Sequence, residues 1–160
     1  MVRTAVVEPR AIILSLVERD LAAMRQAILS APEKADAVEV RLDAIPHADP
    51  GLLFEGSPRP LIATCRRKGD GGFYSGSESK RREILFGAVK AGATWLDVEH
   101  GSGAQDLAGL LSDHPAIGVI LSHHDTRRMP GTFASLYRAM ARVKGVKAIK
   151  IIGTARTPSD

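Results

Sequence analysis

What most limits the folds open to this chain is a rhythm of short apolar runs separated by longer segments of helical spacing. The runs are "AIILSL" (11–16), "AVEVRL" (37–42), "LIATC" (61–65), "WLDVE" (95–99), "AIGVILS" (116–122) and "AIKII" (148–152). Between them, "ERDLAAMRQAIL" (18–29) sets Leu21, Met24, Ile28 and Leu29 on one helical face. "SESKRREILFGAVKAGA" (77–93) closes at Gly92, and Ser75 and Glu78 stand in capping-box spacing at its start. The segments 104–114 and 132–143 have the same helical character. Strand-length runs alternating with helices predict a parallel α/β sheet. The stretch "RRKGDGGFYSGS" (66–77) is the least regular and reads as a mobile loop after the third strand.

Side chains alternate across a strand, so each run has two faces. Val38, Val40 and Leu42 share one face of the second run, while Glu39, Arg41 and Asp43 share the other. Leu96 and Val98 oppose Asp97 and Glu99, and Val119, Leu121 and His123 oppose Ile120, Ser122 and His124. One face of every strand suits burial beneath helices, and the other turns polar toward the strand's C-terminal end. A doubly wound sheet would bury both faces, at a high cost for so many charges. A barrel resolves the conflict: its apolar face meets the outer helices and its inner face opens into a site at the C-terminal rim. The expected fold is therefore α/β, of the (β/α)8 TIM-barrel type. A barrel of that class has eight strands and about 250 residues. Six strands in 160 residues predict one incomplete barrel domain over 1–160, with residues 1–10 as an N-terminal extension. Its two unpaired edges would favour self-association.

Bulk properties remove several classes of function. The formal charge is +4, but acids and bases are interleaved, and Tyr and Trp are scarce, which argues against nucleic acid as a partner. A mildly basic cleft suits a small anionic substrate. Cys65 is the single cysteine, so no intrachain disulfide forms and a cysteine-based zinc site is disfavoured. No apolar run is long enough to cross a membrane, and the first residues carry no signal-peptide core, so a cytoplasmic location is expected.

The inward set is Glu39, Arg41, Asp43, Thr64, Arg66, Asp97, Glu99, Ser122, His124 and Lys150. It is either a structural ion-pair network or a site. A histidine and a lysine at the ends of neighbouring strands suggest covalent amine catalysis, the lysine attacking a carbonyl and the imidazole moving protons. His124 points into the barrel and His123 away from it. One inward histidine with scattered carboxylates makes a poor metal site. The "GDGG" run (69–72) lacks the Lys-Ser/Thr pair of a phosphate loop.

Five segments, "ADAVEVRLD" (35–43), "TCRRKGDGG" (64–72), "LDVEH" (96–100), "LSHHDTRRMP" (121–130) and "AIKIIGTARTPSD" (148–160), carry a resemblance in their order and spacing. The chain resembles type I 3-dehydroquinate dehydratase, the Schiff-base enzyme of the shikimate pathway for aromatic amino acids, from about residue 11 to the end. The resemblance implies a lyase in which Lys150 forms the Schiff base and His124 is the general acid/base. It implies that Glu39, Arg41 and Arg66 contact 3-dehydroquinate, while Asp43 and Asp97 orient the charges around the site. Asp70 falls where the family usually has a glutamate supporting the histidine, and His123 where an aromatic is common. No cofactor or metal is implied, and the partner is a small-molecule substrate. A homodimer, or pairing with a missing C-terminal segment, is expected to complete the barrel. The family's carboxylate-binding arginine and covering loop lie beyond the matched segments. Two other readings stand beside this one: a non-catalytic dehydratase-like ligand-binding or regulatory domain or inactive fragment, and a class I aldolase-like Schiff-base lyase.

Overall fold

In the computed structural model, which describes residues 11–101 and 112–157, each apolar run forms a strand. The strands β1 (Ile13–Leu16), β2 (Ala37–Arg41), β3 (Leu61–Thr64), β4 (Trp95–Glu99), β5 (Gly118–Asp125) and β6 (Ala148–Gly153) lie in one parallel sheet in chain order. A doubly wound sheet reverses at a switch point, so its strands do not run in chain order. The sheet also curls. In a flat sheet β2 and β6 would stand roughly 19 Å apart, four strand spacings. Instead Lys150 of β6 reaches Glu39 of β2, with Nζ and Oε1 3.2 Å apart. The described strands thus form an open arc of a barrel.

Among the described residues four complete α-helices accompany the sheet: α1 (Leu21–Leu29), α2 (Pro50–Phe54), α3 (Glu78–Lys90) and α4 (Phe133–Met140). Asp20 caps α1 by accepting from the Ala23 N–H at 2.8 Å. The five-residue α2 is not evident from the sequence, being too short to show a period. Asp49 caps it and Pro50 stands in its first turn, where a missing N–H costs nothing. The cap of α3 is Ser77, which accepts from the Lys80 N–H, rather than the Ser75 that the capping-box spacing suggested. Most of the helix expected over 104–114, and the extension 1–10, fall outside the described residues.

The apolar outer face of the sheet packs as the alternation requires. Val38 and Val40 of β2, Leu61 and Ala63 of β3, Leu96 and Val98 of β4, and Val119 of β5 join Met24 and Ile28 of α1, Leu53 and Phe54 of α2, and Leu85 and Ala88 of α3 in one core. Leu29, placed by sequence on the buried face of α1, is exposed: it stands about 100° round the helix from the buried Ile28, off the stripe that Met24 and Ile28 turn to the core. A second, smaller cluster lies on the inner face at the N-terminal ends of the strands. There Ala37, Ile62, Trp95 and Ile120 make an apolar floor. Gly118 is required at this floor, since a Cβ would stand 2.3 Å from the Trp95 indole.

The stretch 66–77, expected as a loop without regular structure, is a turn closed by backbone hydrogen bonds. Lys68 N–H donates to the Tyr74 carbonyl and Tyr74 N–H to the Arg66 carbonyl. The Gly-Gly pair serves this turn: Gly71 has φ +80°, and a Cβ on Gly72 would meet the Arg66 carbonyl oxygen at 2.1 Å. Among the described residues β1 and β6 each pair on one side, and Ile13 and Ile152 are exposed there.

Candidate active site

Strand register builds the site. Parallel pairing sets Arg41 beside Thr64, Thr64 beside Asp97, Glu99 beside Ser122 and Ser122 beside Lys150. Because all these residues lie on the inner face above the Trp95 floor, their polar atoms converge. Lys150 Nζ lies 3.2 Å from Glu39 Oε1 and 3.2 Å from Asp97 Oδ2. Thr64 Oγ1 donates to the same Glu39 oxygen at 2.8 Å. Ser122 Oγ donates to Asp97 Oδ1 at 2.5 Å and accepts from Arg66 Nη1 at 2.8 Å. Arg66 also bonds Asp97 through Nη2 at 2.8 Å and Glu99 through Nη1 at 3.0 Å. The lysine side chain is 31% exposed, whereas Asp97 is 1% exposed. The cation therefore stands at the open end of a buried anionic wall.

Electrostatics follow from this packing. Burial by itself would raise the Asp97 carboxyl, but Arg66, Lys150 and the Ser122 hydroxyl together hold it below the usual carboxylate range. Burial pushes the Glu99 carboxyl up, against the pull of Arg81 and Arg66. The His124 imidazole is held down at about 4, first by desolvation and then by the Arg66 and Lys150 charges. It is thus a neutral base at physiological pH. Its Nδ1 is buried without a hydrogen-bond partner among the described residues. The Cys65 thiol, buried behind β3, is pushed up to about 12 by burial and is inert as a nucleophile.

The remaining sequence candidates separate into two groups. Arg41 is held at the rim by Asp43 through a two-point bond, Nε to Oδ1 at 2.9 Å and Nη2 to Oδ2 at 2.8 Å. Asp43 also accepts from the Phe73 N–H at 3.0 Å, tying the turn after β3 to the rim. Asp70 makes no hydrogen bond to His124 among the described residues: its carboxylate bonds Arg67 at 2.6 Å and acts on the imidazole only through its charge, while the imidazole Nδ1 has no partner. His123 lies on the opposite side of β5 from Ser122 and His124, as the alternation requires.

One residue of this network escaped the sequence reading. Arg81 of α3 is 1% exposed and reaches the barrel wall, bonding Glu99 Oε2 at 2.6 Å. The available signal was its place on the buried stripe of α3, four residues before Leu85 and seven before Ala88, where an apolar side chain is normal. Strand parity puts Glu99 and Ser122 on the inner face but does not indicate a role for either. Among the described residues no group of three or more His, Cys, Asp and Glu side chains is arranged to hold a metal ion. No described helix is long and apolar enough to cross a membrane.

The depressed His124 imidazole makes stability depend on pH with a defined sign. The unfolded chain takes up this proton near 6.5 and the folded chain near 4. Between those values the unfolded state binds more protons, so stability falls as pH falls through that window. The variant His124→Gln is expected to lose less stability than the parent on acidification from pH 7 to 4, as read by thermal melts. Parallel pH profiles for the two proteins would contradict the assigned environment.

Comparison with known proteins agrees with this architecture. The family model for type I 3-dehydroquinase matches residues 12–160. The chain is 35% identical over 133 residues to the 3-dehydroquinate dehydratase of Desulfotalea psychrophila, an alignment covering 79% of this chain and 57% of that protein. It is 34% identical over 133 residues to the chloroplastic bifunctional 3-dehydroquinate dehydratase/shikimate dehydrogenase of Arabidopsis thaliana, covering 79% and 22% respectively. The crystal structure of 3-dehydroquinate dehydratase from Geobacillus kaustophilus superposes with a TM-score of 0.79 at 19% identity, over 95% of this chain and 65% of that one. The chain thus spans little more than half of its bacterial relative and about two thirds of the solved barrel.

Proposed function

Because the chain belongs to the type I 3-dehydroquinase family, we propose that its inner-face site takes part in the dehydration of 3-dehydroquinate to 3-dehydroshikimate through a Schiff base on Lys150. The observation that carries this reading is the placement of Lys150 Nζ 3.2 Å from two carboxylates at the open end of the arc, with the neutral base His124 on the adjacent strand.

Before attack the lysine has to give up a proton. Glu39 is the better placed acceptor, since its Oε1 carries the lysine and the Thr64 hydroxyl, whereas Asp97 is already engaged by Arg66 and Ser122. The free amine adds to the C3 carbonyl carbon, and the carbinolamine loses water to leave an iminium. This cation withdraws electrons from C2. His124 takes the C2 proton, the C–H electron pair forms the enamine, and the C1–oxygen bond breaks as the hydroxyl leaves with the proton now on the imidazole. Water then adds to the product iminium and releases 3-dehydroshikimate and the lysine. In this reading Glu39 and Arg41 meet the substrate's hydroxyls. Arg66, with both terminal nitrogens engaged, contributes chiefly by fixing Asp97 beside the lysine. The reaction needs no metal and no organic cofactor, because the iminium is the electron sink.

We place the whole of 1–160 in a single barrel domain that acts in the cytoplasm, with further strands or a second copy covering the open edges. The test is the appearance of the conjugated enone absorbance when the full gene product carrying these 160 residues is given 3-dehydroquinate. Turnover supports the dehydratase. Saturable binding with neither turnover nor a trapped imine points instead to a ligand-binding module.

A further inference from the structure

Six charges of alternating sign run in an unbroken line from the helix layer through Lys150 to Glu39. Arg81 Nη1 lies 2.6 Å from Glu99 Oε2, and Glu99 Oε1 lies 3.0 Å from Arg66 Nη1. Arg66 Nη2 lies 2.8 Å from Asp97 Oδ2, which is 3.2 Å from Lys150 Nζ, itself 3.2 Å from Glu39 Oε1. The four residues from Arg81 to Asp97 are almost wholly buried. In such a line each ion is held in place by its neighbours, because solvent cannot supply a substitute.

We propose that Arg81 is a positioning residue for the active site: the outer anchor that, through Glu99, holds the Arg66 guanidinium against Asp97 beside Lys150. Arg81 comes from α3, and among the described residues Glu99 is the inner-face group it bonds. Its own position is fixed from three sides. Nη1 donates to Glu99 and to the Cys65 carbonyl at 3.1 Å, while Nε and Nη2 donate to Glu78 Oε2 at 3.1 and 2.9 Å. The planar fork therefore ties the first turn of α3, the end of β3 and the end of β4 into one unit. A smaller or single-point cation could not satisfy that set. Without it, Glu99 keeps Arg66 as its remaining guanidinium partner and draws it away from Asp97. The consequence for turnover rests on the dehydratase reading above, but the anchoring does not.

The test needs no substrate. With arginine labelled in the side chain with nitrogen-15, the Nη protons of Arg66 are followed by NMR exchange with solvent. In Arg81→Met these protons are expected to exchange about tenfold faster than in the parent, the scale of one lost charge-assisted hydrogen bond. The Nη protons of Arg25, which donates through Nη1 to the Leu53 and Glu55 carbonyls, and the Nε proton of Arg59, which donates to the Ala35 carbonyl, serve as references and should not change. Arg81→Lys keeps a buried cation and guards against loss of folding. Lysine cannot bridge Glu99, Glu78 and the Cys65 carbonyl at once, so Arg66 exchange should rise there too, by a smaller factor. Unchanged Arg66 exchange in either folded variant overturns the proposal. So does a uniform quickening that includes Arg25 and Arg59, which would mark Arg81 as a general stabiliser. Absence of imine formation in the parent protein would remove the dehydratase reading and leave the Arg66 measurement intact.

Discussion

On the dehydratase reading, replacement of Lys150 by alanine in the full gene product is expected to reduce dehydration of 3-dehydroquinate by about 10⁵-fold or more, the scale gained by holding a nucleophile at the reacting carbon. Lys144 and Lys147 lie exposed in the connection between α4 and β6, before the strand begins at Ala148. Lys150 alone is seated between Glu39 and Asp97. The same geometry predicts where a label goes. Borohydride added during turnover of the parent should reduce the iminium to a stable secondary amine, and peptide mass mapping should find it on the segment containing residue 150. Lys150→Ala should take up none. An adduct on Lys144 or Lys147, or a variant retaining most of its turnover, would refute the assignment.

His124→Ala should lower turnover by ~10²–10⁴, the usual contribution of a positioned acid/base, while His123→Ala should change it little beyond local packing. The two histidines are adjacent in sequence but opposed in space, and the opposition comes from the period of the strand. The parent's pH profile carries a second consequence. A base held at about 4 stays unprotonated well below the ordinary histidine range. Turnover should therefore persist as pH falls past 6.5 and fail only toward 4, to the extent that His124 sets the acid limb. Equal losses in the two histidine variants would overturn the register assigned to β5. An acid limb near 6.5 that vanished in His124→Ala would show an imidazole more solvated than its packing indicates.

The strands were legible because a strand announces itself twice, as an apolar run and as an alternation of faces. Glu39, Asp97, Ser122 and Lys150 could be assigned to one side of the sheet from parity alone, and they meet in space. Elements whose placement depends on a single local hydrogen bond were less legible. Ser75 and Ser77 are chemically identical caps, and the choice between them falls to Ser77 through its bond to Lys80. Asp70 was matched by position to a histidine support, yet Arg67, three residues before it, takes the carboxylate in a tight turn. Arg81 was hidden for a different reason. It sits on a helix outside the barrel, so no argument from strand parity could bring it to Glu99. What would have shown it is the mismatch between a charged residue and a buried helical stripe.

The apolar floor gives the molecule a built-in optical probe. The chain has one tryptophan, and it is Trp95, 6% exposed and packed face to backbone against Gly118. Its emission should be that of an indole shielded from water, and excitation at the long-wavelength edge, where the two tyrosines do not absorb, draws it from a single known place. Asp97 stands two residues further along the same strand, so the fluorophore lies one layer beneath the charges that surround Lys150. Rearrangement at the rim should leave the signal steady, whereas opening of the strands from below should shift it to the red. Steady-state fluorescence can thus follow the integrity of the arc while chemistry is monitored separately by absorbance in the same cuvette.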